Sequence, residues 1–167
     1  MDSLYLLSQD VGNLLLDNKQ ILVTAESCTG GGVAAAITEV AGSSAWFDRA
    51  FVTYSNDAKQ QMVGVKAETL SEFGAVSEPV VFEMVQGALA NSAATVGVSI
   101  SGIAGPSGGS DEKPVGTVCF AWADKSGWLH IETKHFSGNR GEVREQAVEY
   151  ALQTLKEYFL SRTLKTN

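Results

Sequence analysis

Histidine and cysteine are scarce: the chain holds two of each, His130, His135, Cys28 and Cys119. The cysteines form neither a CxxC pair nor a zinc-ligand spacing, and so sparse a set suits a reducing compartment better than a disulfide scaffold. His130 and His135 fall at an odd separation on a segment that reads as a strand. They should face opposite sides, which excludes a two-histidine metal site and leaves surface or packing roles. Basic residues are outnumbered, with 12 Lys and Arg against 19 Asp and Glu for a net charge of −7, and they form no run. That excludes a broad nucleic-acid or anionic-membrane surface, so any anionic ligand must be small and locally recognised. No apolar run reaches the roughly 20 residues of a membrane span, and acidic Asp2 stands where a secretory leader would carry basic residues. A cytoplasmic protein is the expectation. What is plentiful is core material: 44% hydrophobic content in 167 residues suffices for one domain, residues 1–167, without disulfide or metal.

Apolar periodicity organises the chain. Leu4, Leu7, Val11, Leu14 and Leu15 recur at helical spacing and predict an opening amphipathic helix of about four turns. Residues 21–25 read as a buried strand, the following glycines as a strand-to-helix turn, and residues 33–40 as a helix of small residues ended by Gly42. A second strand is expected at 47–54, then a Ser55-Asn56-Asp57 cap and a helix through Met62 stopped by Gly64. A short helix covers 68–73, and Ser77-Glu78-Pro79 starts another, since proline fits only a first turn. Residues 96–101 form a strand that runs into a breaker-rich loop over 102–110. Residues 117–123 and 129–136 make an antiparallel hairpin, and a closing helix runs to about Leu160. Alternating helices and strands with one hairpin predict an α/β fold, a three-layer α/β/α sandwich around a mixed β-sheet. The connections after its strands should converge at one sheet edge, where open α/β sheets bind ligands.

Chemistry concentrates at Ser27-Cys28-Thr29-Gly30-Gly31-Gly32. Glycine costs roughly 1 kcal/mol against alanine inside a helix, so three in succession point to close approach of a ligand. The run lacks the Lys-Ser/Thr ending of a P-loop and the GxGxxG spacing of a dinucleotide site. Ser27 stands before a helix N-terminus, whose free N–H groups favour a phosphate or an oxyanion. It is a nucleophile if a base removes its proton, and otherwise a helix cap. Lys59, in the first turn of the helix capped near Ser55, is the candidate base: burial and the helix dipole both lower a lysine pKa. Tyr54 and Ser55 could relay protons or orient the amine, although Tyr54 also suits a strand core. Cys28 reads as a small buried thiol. Ser101, Ser107 and Lys113 mark the second glycine loop as one that could close over substrate. Arg140 and Arg144, one turn apart, could present a fork to a phosphate or pair with Glu142 and Glu145. Three readings remain open on these residues: a serine amidase, a serine hydrolase for another small amide or ester, and a non-catalytic nucleotide-binding or regulatory module.

Five stretches narrow the choice: TAESCTGG at 24–31, AGSSAWFDRAFVTYSNDAK at 41–59, GAVSEPV at 74–80, SISGIAGPSGGSDEKPVGTV at 99–118 and FSGNR at 136–140. Together they resemble the C-terminal domain of the competence-damage-inducible proteins, whose stand-alone members are nicotinamide-nucleotide amidohydrolases, over nearly the whole chain. The resemblance implies hydrolysis of nicotinamide mononucleotide to nicotinic acid mononucleotide and ammonia, a step in pyridine nucleotide recycling, with no cofactor and no metal. It makes Ser27 the nucleophile, Lys59 its base and Tyr54 an assisting group. Thr29, Gly30, Gly31, Gly102 and Gly105 would surround the substrate, Arg140 would take its phosphate, and helix N-terminal N–H groups would hold the oxyanion. A symmetric homodimer is compatible with such a chain but not demanded by it.

Overall fold

Every residue of Leu22–Glu26 is buried, as expected of a central strand covered on both faces. A computed structural model describes residues 2–166, with side chains through Thr163. Around this strand, β1, the chain runs α1 (Ser3–Asp17), β1 (Leu22–Glu26), α2 (Gly32–Thr38), a 3₁₀ turn (Ser43–Ala45), β2 (Phe47–Val52) and α3 (Asn56–Val63). It continues through α4 (Ala67–Phe73), α5 (Glu78–Ala90), β3 (Val96–Gly102), β4 (Thr117–Asp124), β5 (Leu129–His135) and α6 (Arg140–Thr166). The sheet order is β2-β1-β3-β4-β5. β1 is parallel to β2 and β3, whereas β3, β4 and β5 pair antiparallel. This is the three-layer α/β/α arrangement around a mixed sheet.

Alternation along the strands divides the core. Leu22, Val96, Val98, Ile100, Phe120 and Trp122 pack against α1, α2 and α6. Val23, Ala25, Cys119, Ala121 and Ala123 pack against α3, α4 and α5 on the other face. His130 stacks on Trp122 on the first face, while His135 lies beside Cys119 on the second, as their odd separation required. The chain leaves β1 through α2 on one face, then crosses to β3 through α3–α5 on the other, so its direction reverses beside β1. That is where an open α/β sheet leaves a crevice.

Local signals explain most element ends. The Ser55 hydroxyl accepts from the Ala58 N–H to start α3, and Gly64 ends it at φ 70°, in the left-handed region glycine enters without strain. Pro79 sits in the first turn of α5. Two boundaries differ from the sequence expectation. β2 stops at Val52, because Thr53 N–H donates to the Glu26 carbonyl and the chain then turns into the α3 cap, leaving Tyr54 outside the strand. α6 runs beyond Leu160 to Thr166: its apolar stripe ends at Phe159, but Arg162 pairs with Asp124 and Thr163 accepts from Asn18 of α1, contacts that hydrophobic periodicity does not report.

The α3–α5 crossing sets the height of α3 above the sheet. A Cβ at Gly87 would lie 1.7 Å from the Val63 carbonyl oxygen, so only glycine permits it. Gly87→Ala should therefore cost about 3 kcal/mol and lower the melting temperature by roughly 6–12 °C, measured by circular dichroism. An unchanged melting temperature would contradict the close crossing.

Candidate active site

The C-terminal ends of the three parallel strands open into a cleft of about 260 Å³. β1 supplies Ser27 and Cys28, the β2–α3 connection supplies Tyr54 and Asn56, and Lys59 follows from α3. β3 and its loop add Ser101, Gly102 and Ala104, the segment before α5 adds Ala75 and Val76, and α6 adds Arg140. The three connections expected to converge do meet at one sheet edge.

A single-residue step separates two electrostatic environments. Side chains alternate across a strand, so Glu26 points to the α2 layer and Ser27 to the α3 layer. Backbone bonds hold Ser27 in line with the sheet: its N–H donates to the Ile100 carbonyl at 2.9 Å, and Thr53 N–H donates to the Glu26 carbonyl at 2.9 Å. Glu26 is fully buried. Its carboxylate accepts from the Val33 and Ala34 N–H groups at 2.8 and 3.0 Å and from the Thr29 and Thr24 hydroxyls at 2.7 and 3.0 Å. A buried carboxylate needs such partners. This corrects one expectation: the first-turn N–H groups of α2 hold a side-chain anion of the protein itself and are not free for an oxyanion or phosphate.

Lys59 lies on the opposite face of the sheet from that anion and is 1% exposed. Its Nζ is 3.0 Å from Ser27 Oγ, 2.9 Å from the Thr53 carbonyl and 3.2 Å from the Tyr54 carbonyl. Among the described residues no carboxylate lies within ion-pair distance of it. Burial pushes its pKa below the usual 10.5, with Cys28 acting in the opposite direction, because a low-dielectric site disfavours the ammonium. The amine donates to both carbonyls and to Ser27 Oγ, and the Ser27 hydroxyl in turn donates to the Tyr54 carbonyl at 3.4 Å; loss of one amine proton would leave a lone pair beside Oγ. Burial likewise pushes the Cys28 thiol up to about 12, which leaves it a poor thiolate beside the serine.

The other expected site residues divide. Gly102 lines the cleft, and a Cβ there would lie 3.1 Å from Cys28 Sγ and 2.8 Å from Val118. Arg140 also lines it, donating to the Gly105 carbonyl at 2.8 Å and the Tyr54 hydroxyl at 3.3 Å. Gly105 therefore supports Arg140. Tyr54 is 61% exposed, and it is its backbone carbonyl that reaches Lys59, while the phenol meets Arg140. Ser55 is spent on its helix cap. Thr29, Gly30 and Gly31 do not line the cleft: the Thr29 hydroxyl turns to Glu26, a Cβ on Gly30 would lie 3.3 Å from Arg144, and one on Gly31 would lie 3.5 Å from Val52. Arg144 forms no ion pair with Glu142 or Glu145 and donates to the Cys28 and Thr29 carbonyls. Ser107 stays exposed, and Lys113 ties the second glycine loop to the Phe73 carbonyl at 2.7 Å. Asn56, Ala75, Val76 and Glu26 were not anticipated. Glu26 carried a legible signal, since a charge inside a buried strand must find partners.

A family model for the CinA C-terminal domain matches residues 5–159. The chain belongs to this family. Among the relatives of this CinA-family chain, the nicotinamide-nucleotide amidohydrolase PncC of Escherichia coli (strain K12) is 60% identical over 157 residues, covering 94% of this chain and 95% of that protein. Its counterpart from Pseudomonas putida is 49% identical, covering 93% and 96%. Crystal structures of the same superfamily share the fold. The competence/damage inducible protein CihA from Agrobacterium tumefaciens superposes with a TM-score of 0.89 at 44% identity, over 93% of this chain and 94% of that one. The CinA superfamily protein KP700603 from Klebsiella pneumoniae gives 0.91 at 40% identity, over 96% and 99%.

The buried amine has a thermodynamic consequence. Because the folded-state pKa lies below the unfolded value of 10.5, the unfolded state binds more protons between the two values, and stability rises with pH through that window. Below the folded pKa both states are charged and the full burial cost weighs on the native state. Lys59→Met should remove this rise, so the stability difference between wild type and variant, measured by urea unfolding from pH 7 to 10.5, should shift in favour of wild type as pH increases. A pH-independent difference would mean the amine is not desolvated.

Proposed function

We propose that the chain is a nicotinamide-nucleotide amidohydrolase that converts nicotinamide mononucleotide to nicotinic acid mononucleotide and ammonia. One observation carries the chemical part of this reading: a buried lysine, without a counter-ion among the described residues, has its amine 3.0 Å from a serine oxygen at the floor of a cleft. The substrate is carried over from relatives that bear that name at 60% and 49% identity over almost their full lengths, and it places the reaction in pyridine nucleotide recycling.

In the mechanism, neutral Lys59 takes the Ser27 proton as Oγ attacks the carboxamide carbon, and the carbonyl electron pair moves onto oxygen. Collapse breaks the C–N bond. The proton held by Lys59 passes to the departing nitrogen, ammonia leaves, and Ser27 carries the acyl group as an ester. Water, deprotonated by the same amine, then splits the ester and restores the serine. The Thr53 and Tyr54 carbonyls aim the lysine lone pair at Oγ, a role for the Tyr54 backbone in place of its phenol. Arg140, held by Gly105 and Tyr54 at the cleft wall, is the cation we assign to the substrate phosphate. The reaction draws only on side chains, substrate and water. Among the described residues no helix is long and apolar enough to cross a membrane, and we assign the enzyme to the cytoplasm.

Ser27→Ala and Lys59→Met should each lower ammonia release from nicotinamide mononucleotide by at least about 10³-fold while keeping native circular dichroism. Because the base must be neutral, wild-type kcat/KM should fall as pH drops through the Lys59 pKa, which lies below 10.5. Wild-type turnover by either variant would remove the dyad. Binding of the mononucleotide with no ammonia released by wild type would favour a nucleotide-binding module, and turnover of other amides alone would move the substrate assignment.

A further inference from the structure

An amide substrate attacked by Ser27 develops negative charge on its carbonyl oxygen, and that oxygen needs donors. The first turn of α2 cannot supply them, because its Val33 and Ala34 N–H groups are bonded to Glu26. Elimination along the nucleophile turn leaves few alternatives. Ser27 N–H is given to the Ile100 carbonyl, Gly30 N–H to the Ser27 carbonyl and Gly32 N–H to the Thr29 carbonyl. Among the described residues, Cys28, Thr29 and Gly31 N–H appear in no backbone or side-chain bond to another residue, and Gly31 does not line the cleft but faces Val52.

Arg144 decides where those two groups point. Reaching in from α6, on the α1–α2–α6 face of the sheet, it donates Nε to the Cys28 carbonyl at 3.0 Å and Nη2 to the Thr29 carbonyl at 3.3 Å. In a trans peptide the C=O and the next N–H are antiparallel. Drawing the Cys28 carbonyl towards α6 therefore turns the Thr29 N–H to the opposite face, where Ser27 and Lys59 lie. The Gly30 bond to the Ser27 carbonyl fixes the preceding peptide, which carries the Cys28 N–H beside the nucleophile. Gly30 has a φ of 59°, and a Cβ there would press to 3.3 Å from the guanidinium, so the turn is shaped to admit this arginine.

Resting on the reading of Ser27 as nucleophile, we propose that Arg144 is a positioning residue that aligns the Cys28 and Thr29 backbone N–H groups as the oxyanion hole. It touches no substrate atom. Arg140, one turn earlier, holds the Gly105 carbonyl and the Tyr54 hydroxyl, so the two arginines hold different walls of one cleft and do not form a single phosphate fork.

The test compares nicotinamide mononucleotide with its thioamide analogue, because sulfur is a larger and weaker acceptor and an aligned oxyanion hole favours oxygen. Arg144→Met should lower kcat for the amide by about 10²-fold, with KM within about threefold because substrate binding is untouched. The amide-to-thioamide ratio of kcat/KM should fall by about tenfold or more, as expected when donors that discriminate in the transition state are lost. Arg144→Lys, which keeps a cation and a donor for one carbonyl, should recover part of both effects. Equal losses on amide and thioamide would overturn the proposal, since a merely structural arginine would not change the ratio. A raised KM with unchanged kcat would overturn it in favour of a phosphate contact. Should Arg144→Met fail to fold, a wild-type ratio in Arg144→Lys overturns it and a reduced ratio supports it. Ser27→Ala run beside them separates the failures: full activity there sinks the nucleophile, whereas an inactive Ser27→Ala with unchanged ratios in the Arg144 variants sinks only the positioning role.

Discussion

Burying an amine without a counter-ion is costly, and the site depends on how the fold sustains it. Lys59 is nearly sealed from solvent and meets two backbone carbonyls and the Ser27 hydroxyl, with no carboxylate of the described residues in ion-pair range. The cost is met through sheet and helix packing. β1 and β2 hold Ser27 and Thr53 in register, and α3 is set down on α5 at a glycine crossing with no room for a side chain. Such burial lowers stability and depresses the amine pKa, a compromise found at many functional sites and the one our proposed mechanism uses.

Charge is partitioned by the alternation of a single strand. Glu26 and Ser27 are neighbours, yet one faces α2 and the other α3. The carboxylate consumes the helix N-terminus and both threonine hydroxyls, so the negative charge next to Ser27 in sequence is fully satisfied on the far side of the sheet. Had it faced the cleft, it would have stabilised the lysine ammonium and raised its pKa. α6 completes the arrangement: Arg144 grips the Ser27 turn from behind, and Arg140 braces the glycine loop and Tyr54 at the mouth.

Much of this was legible in the chain, and the failures follow a pattern. Ser55 and Gly64 bracket α3, Pro79 opens α5, and the odd spacing of His130 and His135 puts them on opposite faces, because caps, fixed φ angles and strand alternation act over a few residues. The short run at 24–31 reads in sequence as a ligand site, and of its members Ser27 and Cys28 line the cleft at the end of β1. Its individual members were not separable, since Thr29, Gly30 and Gly31 look like ligand contacts in sequence and instead serve Glu26, Arg144 and Val52. Tyr54 was placed near Lys59 for its phenol, whereas the carbonyl makes the contact. A carbonyl is carried by every residue and leaves no mark in a sequence.

The sequence by itself determined the layers, the strand-to-helix turn bearing Ser27, the helix bearing Lys59 and membership of a family whose likeness covers nearly the whole chain. Those are consequences of periodicity, turn chemistry and local residue order. Only the tertiary structure decided that the α2 N-terminus is already occupied, that Lys59 meets no carboxylate among the described residues and that Arg144 donates to the Cys28 and Thr29 carbonyls. Each of these depends on which groups, distant along the chain, compete for the same donor or acceptor. Hydrogen-bond competition of that kind is settled by distance and direction in the folded state, to within a fraction of an ångström, and residue order carries no record of it.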